Sequence, residues 1–319
     1  MESMAQEPPS APQAPPVEVC YRHPGVQTGV HCTRCGRPIC PDCMIPAPVG
    51  YHCPDCVLQA QREFRAGAGR RTRQLSGLSM TKLLLAAIVG TYVVEVVASG
   101  GTGGLFLGPS NRTLFDLGAM YAPAVAAGQY WRLFSSMFLH AGLIHLALNS
   151  YALWIFGPVV EQAFGRVRFL AIYFVSGFLA SAASYAFGPV SVAVFRGRPQ
   201  VVGAVAVGAS GAIVGVFGAF IAYNFRRRHL AMARARLRMA VTLIVINALL
   251  TLGVPSIDWR AHVGGLVAGF AAGFLAEGAG PRKLRPVVQI LALAGLTAAG
   301  IALVVWQTNA INTLARSIG

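Results

Sequence analysis

The sequence is poor in charge and almost devoid of lysine. Only 12% of its 319 residues are charged, 55% are hydrophobic, and Lys82 and Lys283 are the only lysines. A chain with so few charged side chains cannot cover an ordinary soluble fold of this size with polar surface. The composition therefore excludes a typical soluble globular protein and predicts an integral membrane protein.

The N-terminal segment lacks the features of a secretory signal. Met1 to Pro16 is rich in proline and alanine, with neither a basic start nor an apolar stretch. We therefore expect no signal peptide there and predict a disordered leader over 1–16. Cysteine is confined to 17–58, which contains all seven cysteines. An arginine-rich linker over 59–80 follows that segment.

Acidic residues are also scarce, with 11 of them against 26 lysines and arginines, for a net charge of +15. The arginines form short runs between apolar segments rather than one amphipathic face, which argues against a nucleic-acid partner. Such runs instead set the orientation of membrane spans, because short cytoplasmic loops are enriched in arginine and lysine.

Seven apolar windows follow the linker, and a span needs about 20 helical residues. They lie at roughly 81–98, 133–156, 169–187, 208–225, 239–254, 261–277 and 287–306. We predict a six-span core over 81–277 and a seventh span within 278–319, after a basic loop. Basic clusters precede the first span and follow the second, fourth and sixth. This pattern places the N-terminus in the cytoplasm and the C-terminus outside, in the plasma membrane.

Residues 17–58 contain four pairs of metal-ligand residues at short spacing. The pairs are Cys20 and His23, Cys32 and Cys35, Cys40 and Cys43, and Cys53 and Cys56. Eight thiol and imidazole ligands match two tetrahedral Zn²⁺ ions. So short a segment buries little core, so the two structural ions would supply its folding free energy.

Disulfides are the alternative, but the cysteine count is odd and the predicted compartment is reducing. We expect an interleaved arrangement, with the first and third pairs on one ion and the second and fourth on the other. His31 and His52 are substitute ligands. The segment resembles a B-box or related zinc finger, which implies a metal-binding module for protein contacts rather than chemistry.

Two apolar windows open with a serine and a histidine. Gly208-Ala209-Ser210-Gly211 begins the fourth span, and Ala261-His262-Val263-Gly264-Gly265 begins the sixth. A serine hydroxyl needs a base to become a nucleophile, and glycines repeated every four residues would let the two helices approach closely. Taken singly, either residue is as well explained by helix packing.

His145 and Asn149 lie four residues apart in the second span and so share one helix face. Both side chains can donate hydrogen bonds toward one point. The alternative is an interhelical hydrogen bond with a purely structural role.

Over 80–277 the sequence resembles the rhomboid family of intramembrane serine proteases, and from the preference for arginine over lysine and the abundance of alanine, glycine and proline we expect a bacterial source. The matching motifs are Gly208 to Gly211, Ala261-His262 with Gly264-Gly265, His145 with Asn149, the pair Trp131-Arg132, and Gly157 with Glu161 after the second span. The resemblance implies an all-α multi-span fold with a rhomboid-like six-helix core, to which this chain adds a C-terminal transmembrane helix and the zinc-stapled N-terminal module.

The resemblance also implies roles for individual residues. Ser210 would be the nucleophile and His262 its base, without a catalytic acid or a catalytic cofactor. His145, Asn149 and the backbone N–H of Ser210 would form the oxyanion hole. Supporting roles would fall to Gly208, Gly211, Trp131 and Arg132, with Arg132 bonding to a loop over 99–130 in the outer leaflet.

Three further ionisable residues are expected to be structural. Asp258 lies at the start of the sixth span and is interpreted as a helix N-cap rather than as a third catalytic residue. His140 is expected at the outer rim, on a different helix face from His145. Glu95 is expected to be an interfacial or packing contact.

The predicted function is cleavage of membrane-protein substrates within helix-destabilised transmembrane segments. The predicted partners are those substrates, the lipid bilayer and a protein bound by the zinc module. One alternative is a catalytically silent rhomboid-like binding or scaffold protein. Another is a transporter or metal sensor, but the inverted repeats of transporters are not visible in the sequence.

Overall fold

The computed structural model describes residues 18–63, 79–101, 108–254, 257–277 and 285–318. The chain divides into two compact units, Met1–Gly77 and Leu78–Gly319. The predicted leader, the linker from 64 to 78 and the basic loop from 278 to 284 lie outside the described residues.

The first unit has very little regular structure. A 3-10 turn spans Pro41–Cys43, and strands β1 (Ile45–Pro46) and β2 (Tyr51–His52) pair antiparallel. A helix covers 54–63 and so crosses the module boundary expected at 58. The buried interior consists of Ile39 and six of the seven cysteines. An interior made mostly of thiols indicates that something other than apolar burial stabilises this unit.

The described part of the second unit is built from ten helices. In chain order they are α1 (Met80–Ala98), α2 (Asn111–Asp116), α3 (Ala122–Ala126), α4 (Arg132–Ser135), α5 (Leu143–Phe164), α6 (Arg166–Phe187), α7 (Ser210–Arg226), α8 (Ala231–Gly253), α9 (Trp259–Ala276) and α10 (Arg285–Ile318). Among them α1, α5, α6 and α10 are long and apolar enough to cross a membrane. The helices α7 and α9 coincide with the predicted windows 208–225 and 261–277, whereas α8 begins at Ala231, within the arginine run before the window 239–254. The fold is mostly helical and multi-span, as predicted.

The predicted start of the second span was wrong. The window 133–156 contains two helices, because α4 ends at Ser135 and α5 begins only at Leu143. Between them the backbone N–H of His140 donates to the side chain of Glu95 instead of to a helical carbonyl. Averaged hydropathy cannot detect such a break, since the intervening residues are still apolar. As α5 continues to Phe164, Gly157 and Glu161 lie inside the helix and not after it.

Glu161 fixes the start of α1 against α5. Its carboxylate accepts hydrogen bonds from the Ser79 hydroxyl at 2.9 Å, from the Met80 N–H at 2.8 Å and from the Thr81 N–H at 3.0 Å. These groups include two of the unpaired N–H groups at a helix N-terminus, where a negative charge is also favoured by the dipole. Glycine at 157 provides the space for this contact, because a Cβ there would lie 2.6 Å from Thr81 Cγ2.

The helices α7 and α9 approach each other through glycine. A Cβ on Gly265 would overlap the carbonyl oxygen of Gly211, and a Cβ on Gly269 would overlap that of Gly215. Small residues are what allow such close backbone contact between helices in a membrane. At the far end of the same pair, Arg227 donates to both carboxylate oxygens of Glu277, at 2.7 and 2.6 Å.

Four short strands lie between or beside the helices and were not predicted. Strands β4 (Val190–Phe195) and β5 (Arg198–Gly203) form a hairpin, while β3 (Met120–Tyr121) pairs with β6 (Val205–Ala206). The hairpin turns at Arg196 and Gly197, which both have positive φ, as tight two-residue turns require. The β3–β6 pair fixes the backbone just before α7.

The glycine contact gives a stability prediction. Gly269→Ala should lower the free energy of unfolding by about 1–3 kcal/mol, because the added methyl group must push α7 and α9 apart. Gly295→Ala is the matched control: it lies inside α10 with no heavy atom within 4 Å of the new Cβ. That variant should be neutral or more stable by at most about 1 kcal/mol. Thermal unfolding in detergent measures both, and equal shifts would contradict the close contact.

Candidate active site and metal-ligand clusters

Ser210 is the first residue of α7, as the sequence predicts. The backbone before it is held by the N–H of Gly208, which donates to the carbonyl of Ser136 at 2.9 Å. Gly208 has φ +134°, a conformation that side-chain-bearing residues rarely adopt. Ser210 therefore lies where a hydrogen-bonded segment enters a helix, beside free N–H groups and the positive end of the helix dipole.

The ring of His145 lies directly beside this turn. A Cβ on Gly208 would lie 2.8 Å from His145 Cε1, 3.0 Å from its Nε2 and 3.5 Å from Ser210 Oγ. The same small space thus borders both the serine hydroxyl and the imidazole. Any side chain at 208 would displace one of them, which explains the glycine in physical terms.

The orientation of His145 follows from its other nitrogen. Its Nδ1 accepts a hydrogen bond from the backbone N–H of Ala141 at 3.4 Å. A neutral imidazole with an accepting Nδ1 carries its proton on Nε2. His145 therefore presents an N–H donor to the space next to Ser210.

Asn149 lies one turn further along α5 and is buried. Its amide nitrogen donates to the His145 carbonyl at 3.0 Å within the same helix. An amide nitrogen carries two hydrogens, so one remains for a ligand. The sequence placed both side chains correctly on one face of α5, although half of the donor capacity of Asn149 is used locally.

His262 lies in the first turn of α9, and Asp258 caps that helix. The Asp258 carboxylate accepts from the N–H groups of Arg260 at 3.0 Å and Ala261 at 3.3 Å, and also from the Ser184 hydroxyl. The N-cap interpretation is confirmed. The carboxylate is occupied by backbone and α6 donors.

Ser210 and His262 begin neighbouring helices at the same level. A Cβ on Gly211 would lie 3.6 Å from the Ala261 carbonyl oxygen and 3.8 Å from the Ala261 Cβ. Gly211, which follows Ser210, thus contacts Ala261, which precedes His262. The matched depth expected from the sequence is present, and it results from the glycine contact between α7 and α9.

Sequence reasoning missed one residue of this site. Nδ1 of His262 lies 3.3 Å from the side-chain oxygen of Asn247 on α8. The sequence feature that could have identified it is a polar amide side chain in an apolar window, the same feature that singles out Asn149.

Trp131 and Arg132 contact the segment before α3. Arg132 is 4% exposed, and its guanidinium donates to the carbonyls of Phe115 at 2.6 Å and Ala119 at 3.0 Å. Trp131 packs over Gly118, where a Cβ would overlap the indole ring. The expected bond from Arg132 to the backbone of the 99–130 loop is present, in the part of that loop that the structure describes.

The expectation for His140 was wrong. The residue is completely buried, its N–H donates to both carboxylate oxygens of Glu95 at 3.1 and 3.2 Å, and its Nδ1 lies 3.1 Å from the Phe138 carbonyl. Its ring meets His145 edge-on with centroids 5.2 Å apart. The outer-rim prediction assumed a continuous helix through both histidines, whereas the segment before Leu143 is not helical. Glu95 is a packing contact, as one of its two interpretations held.

The eight predicted metal ligands form two separate groups. One contains Cys20, His23, Cys40 and Cys43, and the other contains Cys32, Cys35, Cys53 and Cys56, with the ligand atoms in each within 4.8 Å of one another. This is the interleaved grouping expected from the sequence. Within the first group, His23 Nδ1 lies 3.1 Å from Cys40 Sγ and 3.5 Å from Cys43 Sγ. All seven cysteines are free thiols.

The two substitute histidines lie outside these groups. Nε2 of His31 contacts the Glu18 carboxylate, and His52 is in β2 opposite Ile45. The predicted pairs alone therefore supply the four ligands of each group.

The thiols in each group do not ionise alike. Burial, together with the neighbouring thiols, raises the pKa of Cys43 to about 11 and of Cys56 to about 12. Burial also opposes ionisation of Cys20 and Cys32, but backbone N–H groups outweigh it and lower both pKa values to about 6. A divalent cation would remove this difference by stabilising all the thiolates, and a thiolate-rich set with one imidazole suits Zn²⁺.

Comparison with known proteins gives consistent matches. Residues 127–278 match the family model of the rhomboid domain. The chain is 36% identical over 222 residues to Rhomboid protease GluP of Bacillus subtilis, covering 68% of this chain and 39% of that protein. It is 34% identical over 155 residues to Putative rhomboid protease YdcA of the same organism, covering 49% and 71%. It is 38% identical over 172 residues to RHOMBOID-like protein 6, mitochondrial, of Arabidopsis thaliana, covering 53% and 52%.

These matches differ in extent. The aligned part spans about two fifths of GluP and about half of the Arabidopsis protein, but more than two thirds of YdcA. The family model begins at residue 127, well after the last cysteine at 56. The two metal-ligand groups are therefore a feature outside the matched domain.

The buried Glu95 contact gives a second stability prediction. Glu95→Leu should lower the free energy of unfolding by about 1–3 kcal/mol, because the N–H of His140 is left buried without an acceptor. Glu95→Gln keeps one acceptor oxygen and should lose distinctly less. Unfolding of the detergent-solubilised protein distinguishes them, and an equal loss for both variants would argue against a role for the N–H contact.

Proposed function

Because the chain belongs to the rhomboid family, we propose that it is an intramembrane serine endopeptidase with Ser210 as nucleophile and His262 as general base. The observation that carries the proposal is the contact of Gly211 with Ala261, which brings the starts of α7 and α9 together at one level. The His145 ring beside Gly208 and Ser210 Oγ adds an N–H donor at the same place.

The proposed reaction proceeds in two halves. His262 accepts the hydroxyl proton while Ser210 Oγ attacks the scissile carbonyl carbon, and the protonated imidazole then gives that proton to the leaving amine. In the second half His262 takes a proton from water, whose oxygen attacks the acyl-enzyme. The substrate acid is released and the serine hydroxyl is restored.

Three donors would stabilise the charge on the carbonyl oxygen. They are the backbone N–H of Ser210, the Nε2–H of His145 and the second amide hydrogen of Asn149. A pre-oriented donor of this kind is worth roughly 2.7–4 kcal/mol in the transition state. The N-terminal end of the α7 dipole favours the same negative charge.

The proposed substrates are spanning segments of other membrane proteins. A helix hides its carbonyls in i to i+4 hydrogen bonds, so a cleavable segment must unwind locally. Residues that weaken helices near the cleavage site therefore favour cleavage. The arginine runs between spans support a cytoplasmic N-terminus in the plasma membrane, with the C-terminus and the mouth of the site outside.

Cleavage of a single-span reporter by the reconstituted protein tests the proposal. Ser210→Ala and His262→Ala should each lower kcat at least about 10⁴-fold, since nucleophile and base act as one unit. His145→Ala should lower it by about 10²–10³-fold. Labelling of Ser210 by a serine-reactive phosphonate gives an independent readout.

Two exposed residues provide matched controls. Ser191→Ala in β4 and His229→Ala between α7 and α8 remove the same groups from exposed positions outside the proposed site and should leave cleavage unchanged. If the folded wild-type protein neither cuts nor labels, the silent binding protein is the better interpretation.

We also propose that residues 17–58 bind two structural zinc ions, one in each group of ligands. The clustered thiols and the scarcity of apolar core in this unit support it. Bound zinc would order the loops that carry the ligand pairs, and so form a surface for a protein partner. Zinc has no part in the proposed peptide hydrolysis.

Metal analysis of the purified full-length protein tests this proposal. We expect about two zinc ions per chain, and at least one fewer when Cys40 and Cys43, or Cys53 and Cys56, are changed together to serine. His31→Ala and His52→Ala should retain both ions, since neither residue belongs to a group. A wild-type protein without zinc would refute the proposal.

A further inference from the structure

The C-terminal half of α8 contains few polar side chains, and they differ in where their hydrogen-bond partners lie. From Ala240 to Gly253 they are Thr242, Asn247 and Thr251. Thr242 donates to the Arg238 carbonyl at 3.2 Å, and Thr251 donates to the Asn247 carbonyl at 2.7 Å. Both hydroxyls are thus satisfied within their own helix. An amide side chain in a span is costly unless it is paired, so Asn247 needs a partner elsewhere.

That partner is His262. The side-chain oxygen of Asn247 lies 3.3 Å from His262 Nδ1, and this contact joins α8 to α9. An amide oxygen can only accept a hydrogen bond, so this contact is satisfied when Nδ1 carries the proton. A neutral imidazole protonated on Nδ1 has its lone pair on Nε2, which is the form required of a general base.

We propose that Asn247 is a positioning residue for the base: it accepts the Nδ1–H of His262 and so holds the ring in the tautomer whose Nε2 can take the Ser210 proton. This inference rests on the proposed protease function and deepens it. During the first half of the reaction the serine proton moves to Nε2, while the Nδ1 proton stays on the ring and its bond to Asn247 strengthens as the ring becomes charged. An asparagine that orients a catalytic histidine occurs in papain-like cysteine proteases.

The other groups around the imidazole do not provide this acceptor. Asp258, on the same helix, is occupied by backbone N–H groups and the Ser184 hydroxyl of α6. His145 on α5 is the second ionisable neighbour, and its Nδ1 already accepts from Ala141. Ser210 on α7 faces the other nitrogen in the proposed mechanism.

Three variants of the full-length protein test the assignment by reporter cleavage across the pH range. Asn247→Ala removes the acceptor and should lower kcat about ten- to a hundredfold, with KM little changed because Asn247 is not proposed to touch substrate. The acidic limb of its kcat/KM profile should move to lower pH, since the imidazolium loses a stabilising hydrogen bond.

Asn247→Asp should rescue the rate and move the same limb in the opposite direction. A carboxylate still accepts the Nδ1–H and adds a negative charge next to the imidazolium, so the limb should rise by about one pH unit. Thr242→Ala is the matched control, because it removes a polar group from the same helix that is satisfied locally. It should leave the rate and the pH profile unchanged.

The outcomes separate this inference from the proposed function. If wild-type protein cleaves and Ser210→Ala does not, but both Asn247 variants behave like Thr242→Ala, the positioning role is refuted and the protease function stands. A loss of rate in both variants without opposite shifts of the acidic limb also refutes it, since a merely structural role predicts that pattern. If folded wild-type protein does not cleave, the function fails and this inference with it.

Discussion

The backbone contact between α7 and α9 determines the geometry of the whole site. Carbonyl oxygens of one helix lie where side chains of the other would be, which only glycine permits at Gly265 and Gly269. The contact aligns the two helix starts and therefore sets the relative position of Ser210 and His262. The Arg227–Glu277 pair secures the same helices at their other ends. Precise placement thus depends on the absence of side chains rather than on an extensive polar network.

Near this contact, the hydrogen-bond partners of two histidine rings favour opposite tautomers. A backbone N–H at Ala141 makes Nδ1 of His145 an acceptor, whereas in our proposal the side-chain oxygen of Asn247, 3.3 Å away, makes Nδ1 of His262 a donor. The first ring consequently offers a proton at Nε2 and the second offers a lone pair. These are the complementary abilities that the proposed acyl transfer requires of an oxyanion donor and a base.

The sequence predicts features that depend on short-range pattern. The position of Ser210 at the start of a helix, the shared helix face of His145 and Asn149, the Asp258 cap and the paired metal ligands follow from spacing within a few residues. The roles of Ser210 and His262 come from the family resemblance instead. Most contacts between positions far apart in the chain are not predicted. The break before α5 depends on Glu95, which lies 45 residues from His140. The hairpin of β4 and β5 and the Asn247 contact similarly depend on neighbours that hydropathy and periodicity cannot identify.

Two glutamates join α1 and α5 in a reciprocal way. Glu161, on α5, accepts from the first residues of α1, and Glu95, near the end of α1, accepts from the backbone just before α5 begins. The two helices are therefore hydrogen-bonded to each other near both ends, in each case through a carboxylate of one helix. Together they support the turn that leads to His145. A force that displaced Ser79 would consequently have to move both helices before it changed the orientation of the His145 ring.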